Sequence, residues 1–227
     1  MSKKPQSVDE LCTQGERLLD LGRNAQALRA LEKAATLDPH STTAHFYLAL
    51  AKMRLDRLDE AEWHARKVLR LNPREGNAHL NLGVIFHKKG NDRLAAVHYK
   101  RELALRPESM EAHYNLGLIS FSRNRWSAAR RHLEICWRKR HQADKLENDL
   151  AWCAQKVGDL DLEAEIYRKA LAKDPNDTWA LNNAGAVCMD REQYRKARAL
   201  LERAAALDPH DRRVRRNLKR TLTLMQS

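Results

Sequence analysis

The sequence predicts an all-α protein, a solenoid of six stacked helix pairs followed by one last helix. Three observations predict it. Small residues, alanines and prolines recur at a spacing of 34. Each interval holds two runs of apolar residues at helical spacing. Glycine and proline are few, eight and six in 227 residues. Such a period is typical of helical repeats that bury their apolar faces on one another.

The period divides the chain without an insertion. It gives the units 8–41, 42–75, 76–109, 110–143, 144–177 and 178–211. A polar lead, 1–7, precedes them, and a basic segment, 212–227, follows them. Position 8 of each unit is Gly or Ala, and position 20 is Ala in five of the six. These small residues should let the two helices of a unit approach closely.

The third unit is the clearest copy. Its first helix should run through Leu82, Gly83 and Phe86 and end near Gly90, since glycine readily takes the left-handed conformation that ends helices. Its second helix should end before Pro107, because proline disfavours helix in the preceding residue.

This unit resembles a tetratricopeptide repeat. The residues that carry the resemblance are Leu82-Gly83, Phe86, Gly90, Ala95, Tyr99 and Pro107. The resemblance extends over 8–211 and implies a right-handed superhelical α-solenoid. It also implies that the first helices line a concave groove that holds proteins or peptides.

Four residues depart from the pattern of the family. Lys52 replaces an aromatic residue, Glu102 and Glu163 replace small residues, and His141 replaces the proline of the fourth unit. We therefore expect looser packing between the fourth and fifth units. A buried Glu102 would need a partner, because an unpaired buried carboxylate is costly.

The basic segment should form a capping helix. Val214, Leu218, Leu222 and Met225 fall on one face of it, among basic neighbours. A solenoid needs such a terminal element, with one polar face, to cover its last repeat.

Catalysis is not predicted. The chain has no glycine-rich phosphate loop, no H-E-x-x-H and no serine-centred elbow, so we expect neither an enzyme nor a cofactor. Its start lacks the apolar segment of a secretory signal, and no apolar run reaches the roughly 18 residues that span a membrane. These features predict a cytoplasmic protein whose four cysteines are reduced thiols.

No metal site is predicted either. His45, His79 and His113 all occupy position 4 of their units. They should lie about one repeat apart, too far for their nitrogens to converge on one ion. We interpret them as packing histidines.

The function hypothesis depends on a second face of each first helix. Positions 2, 5, 9 and 12 share this face, which should be polar in a soluble helix but is apolar in the middle of the chain. Contiguous exposed apolar side chains usually mark a binding site. The alternative is that neighbouring first helices bury them. The predicted apolar groove residues are Phe46, Leu50, Leu80, Val84, Tyr114, Leu118, Phe121 and Trp152.

Asparagine adds a polar element to the predicted groove. Asn81, Asn115 and Asn183 all stand at position 6. A side-chain amide donates and accepts hydrogen bonds, so a ladder of amides could hold the main chain of an extended peptide. Similar ladders occur in some tetratricopeptide repeat proteins, although Asn is also common there in the consensus.

A chaperone-type carboxylate clamp is not expected. Some members of the family bind acidic chaperone termini with Lys, Arg and Asn from three consecutive units. Here Leu80 and Val84 replace the first Lys and Asn, and Asp149 stands where Arg is needed.

The net charge of +12 is unevenly distributed. The fourth unit carries +5, from seven basic and two acidic residues, and 212–227 carries +6. Such clusters attract anionic surfaces, although charged helix faces are more often simply solvated. Nucleic acid is the less favoured ligand, since no base-reading side chains are visible. The candidate anion contacts are Arg130, Arg131, Arg212, Arg213, Arg216 and Lys219.

The leading hypothesis is a non-enzymatic scaffold that binds an extended or helical, partly apolar segment of a partner protein in its groove. The alternative is a self-assembling scaffold on an anionic membrane or organelle surface, a use that magnetosome-associated members of the family exemplify. An adaptor subunit that regulates an enzyme would share the sequence features of the first hypothesis.

Overall fold

The computed structural model describes residues 6–143 and 145–226, and all regular secondary structure among them is α-helical. The prediction of an all-α helical repeat is therefore confirmed. The chain divides into two compact units, each of which contains several of the 34-residue repeats. They are called the first unit, Met1–Ile119, and the second unit, Ser120–Ser227. Residues 1–5 of the predicted polar lead and Asp144, the predicted start of the fifth repeat, lie outside the described residues.

Thirteen helices follow one another in the described residues. The helices that begin in the first unit are α1 Val8–Asp20, α2 Asn24–Leu37, α3 Thr42–Arg54, α4 Leu58–Leu71, α5 Gly76–Lys88, α6 Asp92–Leu105 and α7 Met110–Ser122. Those of the second unit are α8 Trp126–Arg138, α9 Leu146–Val157, α10 Leu160–Lys173, α11 Thr178–Asp190, α12 Tyr194–Leu207 and α13 Arg212–Leu224.

The two helices of a repeat touch where position 8 faces position 24. A Cβ atom added to Gly83 would lie 2.4 Å from Cε1 of Tyr99. A Cβ atom at Gly185 would lie 2.7 Å from Cγ of Leu201. Glycine is therefore required at these crossings, and the aromatic or aliphatic side chain opposite fills the space that glycine leaves.

The turn inside each repeat uses one left-handed residue at position 15. Glycine supplies it at Gly22, Gly90 and Gly158, with φ near +70° to +76°. The other repeats use the non-glycine residues Asp56, Asn124 and Glu192, with φ of 56° to 59°. Because these six residues recur every 34 positions, the turn keeps its register through all six repeats.

Two departures from the family pattern are buried and paired. Lys52 is 4% exposed, and its Nζ donates to Glu60 Oε2 at 2.7 Å and to Glu32 Oε1 at 3.4 Å. Glu102 is fully buried, and its Oε1 accepts from Nε of Arg106 at 2.7 Å. The partner expected for Glu102 is therefore present, one helical turn away.

The missing proline of the fourth repeat changes the next connection. Helix α8 ends at Arg138, and Arg140 takes φ of 58°, a left-handed conformation that no other residue at this place in a described repeat adopts. Helix α9 begins at Leu146, two residues after position 144, where the fifth repeat was predicted to start. A cavity of about 1040 Å³ opens beside this connection, lined by Trp137 and Lys169 among others. Helices α8 and α9 still pack against each other.

Glu163 stands at position 20, where the other repeats have alanine. It is 3% exposed, and its Oε1 has no hydrogen-bond partner among the described residues. Burial, together with the nearby carboxylates of Asp190 and Asp159, raises the pKa of Glu163 to about 7. The fifth repeat thus contains a buried carboxyl group that is most stable when protonated.

Helix α13 packs on α11 and α12, as expected of a cap. Its buried face is rotated from the predicted one. Val214 and Thr221 are fully buried, whereas Leu222 and Met225 are each 38% exposed. The hydroxyl of Thr221 bonds the carbonyl of Asn217, so a polar residue can occupy the buried face.

Gly83→Ala should destabilise the protein by about 1 to 3 kcal/mol, because the added methyl group overpacks the crossing with Tyr99. Urea unfolding followed by circular dichroism measures the change. The control Ala104→Gly, at an exposed position of α6, calibrates the helix propensity of the same pair of residues, about 1 kcal/mol. A Gly83→Ala protein as stable as the native one would contradict the proposed crossing.

Glu163→Gln should stabilise the protein above neutral pH. The folded-state pKa of about 7 lies above the unfolded value, so the native chain loses stability as pH rises from about 4.5 to 7. The variant should lack this loss and exceed the native protein at pH 8 by up to about 3 kcal/mol. The control Glu165→Gln, whose pKa is lowered by Lys169, should give no such gain. Equal pH dependence of Glu163→Gln and native protein would contradict the assignment.

Candidate binding surface

The predicted groove residues of the first unit are partly buried. Leu50, Leu80 and Val84 pack against the hydrophobic core that contains Leu82 and Tyr99. The ring of Phe46 meets that of Tyr47 edge to face, with the centroids 5.3 Å apart. Much of this apolar surface therefore stabilises the stack of first helices, as the alternative interpretation holds. Tyr114 and Leu118 are also of intermediate exposure.

The three predicted asparagines differ in their hydrogen bonds. Asn81 is 8% exposed, and its Nδ2 has no partner among the described residues. Nδ2 of Asn115 donates to the Glu111 carbonyl at 2.8 Å, and that of Asn183 donates to the Trp179 carbonyl at 2.9 Å. Two of the amides are therefore fixed by a carbonyl group of their own helix.

The second unit contains a pocket of about 430 Å³ on the predicted groove face. Helices α9, α11 and α13 supply most of its lining, at positions 2, 5, 6, 9 and 12 of the repeat. The lining residues include Asn148, Trp152, Gln155, Tyr167, Trp179, Asn182, Asn183, Met189, Asp190, Arg213, Arg216, Asn217 and Arg220. The structure thus brings together two predicted groove residues and two predicted anion contacts.

Two tryptophans form the apolar part of the pocket. Trp152 is 48% exposed, and Nζ of Lys156 lies 4.8 Å from the centre of its ring. Trp179 meets Tyr167 edge to face at 5.2 Å. Burial raises the pKa of Tyr167, so its hydroxyl stays protonated. Trp152 therefore leaves about half of its side chain exposed beside Lys156, whereas Trp179 is held by its neighbours.

A chain of amides crosses the floor of the pocket. Nδ2 of Asn217 donates to Oδ1 of Asn182 at 3.0 Å, and Nδ2 of Asn182 lies 3.5 Å from Oδ1 of Asn183. Asn183 continues the chain to its own helix. These contacts link the capping helix to α11 and fix the orientation of the amide groups.

The basic residues of helix α13 lie on two faces of the helix. Arg213, Arg216 and Arg220 line the pocket, at spacings of three and four residues. Arg212 and Lys219, two predicted anion contacts, are exposed and lie outside its lining. Arg220 was not among the predicted contacts. Continuing the 34-residue register into the tail would have found it, since the three pocket arginines occupy positions 2, 5 and 9.

The remaining predicted residues of this unit lie elsewhere. Arg130 is paired with Asp159 at 2.6 Å, which largely satisfies its charge. Arg131 is exposed on the same helix, and neither arginine lines the pocket. Phe121 meets Trp126 edge to face at 5.3 Å.

His45 and His79, two of the histidines at position 4, each form a pair that the spacing between repeats did not reveal. Nδ1 of His45 lies 2.9 Å from Nδ1 of His64, and the same atoms of His79 and His98 are 3.1 Å apart. Nε2 of His45 bonds the carbonyl of Pro39 at 3.0 Å, so Nδ1 of His45 accepts from His64. The sequence feature that could have revealed these pairs is a spacing of 19 residues within a repeat, from position 4 to position 23.

Burial is the main cause of the lowered pKa values in both histidine pairs. Burial and the partner histidine lower the pKa of His64 to about 4 and that of His98 to about 4. Protonating either ring of a pair would place charge in a desolvated site, and protonating both would remove their hydrogen bond because neither Nδ1 could then accept. The described residues contain no group of three or more side chains that could hold a metal ion.

Two family models of tetratricopeptide repeats match the sequence. One matches residues 12–65, 52–107 and 91–135, and the other matches 154–222. The chain belongs to the tetratricopeptide repeat family. Proteins of this family generally mediate protein–protein interactions and are generally non-catalytic scaffolds. None of the curated proteins matches the chain, and no helix of the described part is long and apolar enough to cross a membrane.

Solved structures share the tetratricopeptide fold at low sequence identity. The APC/C hetero-tetramer Cut9–Hcn1 is 20% identical, with a TM-score of 0.62 over 97% of this chain and 44% of that one. The chain thus spans less than half of that relative. Pseudomonas aeruginosa PilF is 20% identical, with a TM-score of 0.67 over 92% of this chain and 95% of that one. A tetratricopeptide repeat protein from Parabacteroides merdae is 16% identical, with a TM-score of 0.60 over 96% and 100%.

The paired histidines should make the protein less stable in acid. Their lowered pKa values mean that the unfolded chain binds more protons between about pH 6.5 and 4, so stability falls as pH falls through this window. Acidification from pH 7.5 to 5 should cost about 2 kcal/mol per pair, measured by urea unfolding. His98→Gln should reduce this loss, and the exposed control His40→Gln should not. An unchanged acid loss in His98→Gln would contradict the prediction.

Proposed function

We propose that this tetratricopeptide repeat protein is a non-enzymatic scaffold that binds an extended, partly apolar segment of a partner protein on the groove face of its first helices. The observation that carries the proposal is the pocket of the second unit, where the exposed ring of Trp152 stands beside a chain of amides. An aromatic ring offers apolar contact area, and amides pair with a peptide main chain.

The burial pattern favours Trp152 over Leu80 as the main contact with the partner. Leu80 packs against the core, so it contributes to the stability of the stack as well as to any binding. Trp152 is 48% exposed and has apolar area left to bury. Burying apolar surface contributes roughly 25 cal/mol per Å². The pocket around Trp152 therefore serves as the anchor, and the partly exposed residues of the first unit serve as secondary contacts.

Replacing Trp152 by a photo-crosslinking amino acid tests the proposal in the native cell. A partner protein should crosslink at this position and not at Trp63, an equally exposed tryptophan on the second helix of another repeat. Mass spectrometry identifies the partner, and the purified partner should bind the Trp152→Ala chain at least about tenfold more weakly than the Trp63→Ala chain.

The same experiment separates the alternatives. Crosslinks to a second copy of the chain, with a mass that rises with concentration in sedimentation, would favour the self-assembling scaffold. Equal crosslinking at the two tryptophans, or equal affinity of the two alanine variants, would contradict a binding site at Trp152. Circular dichroism of both variants confirms that neither change unfolds the chain.

A further inference from the structure

We infer that the pocket of the second unit selects an acidic segment, with two carboxylates that alternate with apolar residues along an extended chain. This inference rests on the proposed function and adds the chemistry of the partner. Arg216 and Arg220 carry it. Both line the pocket, and neither has an ion-pair partner among the described residues. The third pocket arginine, Arg213, is already held by Asp211 at 2.9 Å.

The two unpaired arginines, Arg216 and Arg220, determine how many carboxylates the bound segment should have and how far apart they should lie. They are four residues apart on one helix face, so their Cβ atoms lie about 6 Å apart. In an extended peptide, side chains two residues apart point the same way and are separated by about 6.8 Å. Acidic residues at i and i+2 can therefore each meet one guanidinium. Charge-assisted bonds of this kind are stronger than neutral ones.

The other walls of the pocket favour a peptide over a nucleic acid. Trp152 gives the pocket an exposed ring that can cover an apolar side chain of the ligand. The half-buried Asn217, whose Nδ2 donates to Asn182, keeps its amide oxygen as an acceptor for a main-chain N–H. Asp190 also lines the pocket and would repel a phosphate backbone that carries one charge on every nucleotide. A peptide can place a donor, such as a backbone N–H, opposite Asp190.

The capping helix supplies a matched control. Arg215 and Lys219 are also four residues apart on α13, but both lie outside the lining of the pocket. Arg216→Glu with Arg220→Glu, and Arg215→Glu with Lys219→Glu, change the net charge by the same amount on the same exposed helix. A site-specific contact responds only to the first pair, whereas long-range attraction responds to both.

Fluorescence anisotropy of the full chain with short labelled peptides tests the inference. A peptide of alternating aspartate and leucine should bind at least about tenfold more tightly than one of alternating asparagine and leucine. Charge reversal at Arg216 and Arg220 should remove that preference, and reversal at Arg215 and Lys219 should change the affinity by less than about twofold. Thermal unfolding checks that both variants remain folded.

Results that contradict the acidic preference can be told apart from results that contradict the proposed function. Equal binding of the two peptides, with loss on Trp152→Ala, would overturn the acidic preference and leave the proposed function standing. Equal weakening by both charge reversals would also overturn it. Labelled oligouridine that outcompetes the aspartate peptide would assign the pocket to nucleic acid instead. Failure of every peptide to bind, together with no partner crosslink at Trp152, would remove the proposed function as well.

Discussion

The close crossing of the two helices within each repeat is the constraint on which the rest of the structure depends. Gly15, Gly83 and Gly185 leave no room for a methyl group, because a large side chain from position 24 occupies that space. Once this contact is fixed, the helical spacing determines which side chains face the core and which face the next repeat. The predicted groove face follows from this crossing, and its side chains can vary without changing the fold.

That chemistry changes along the chain. Positions 5 and 9 hold Phe46 and Leu50 in the second repeat and Leu80 and Val84 in the third. In the fifth repeat they hold Asn148 and Trp152, and in the last helix they hold arginines. The first unit uses this face mainly for packing, since its apolar residues join the core. The second unit leaves a polar, basic pocket with one exposed aromatic ring, and aromatic and arginine side chains are the types enriched in protein interfaces.

Buried ionisable residues are the local cost of departing from the family pattern. Lys52 and Glu102 are compensated by ion pairs close to them in sequence, and such pairing is needed for a buried charge. Glu163 has no such partner and is neutralised by a raised pKa instead. The paired histidines are satisfied by one shared hydrogen bond, which is lost when both rings are charged, and burial opposes charge on either ring. Together these groups confine the highest stability of the fold to pH values near neutral.

The sequence by itself determined the helical repeat, its period, the close helix crossings and the face that could bind a partner. It did so because these depend on spacing along one helix or between two adjacent helices. Only the tertiary structure decided that Leu80 is packed, that Trp152 is exposed and that Arg216 and Arg220 stand in the same pocket as Trp152. It also decided that His45 pairs with His64. Exposure and side-chain pairing depend on how neighbouring helices cover one another, and residues far apart in the chain determine that covering.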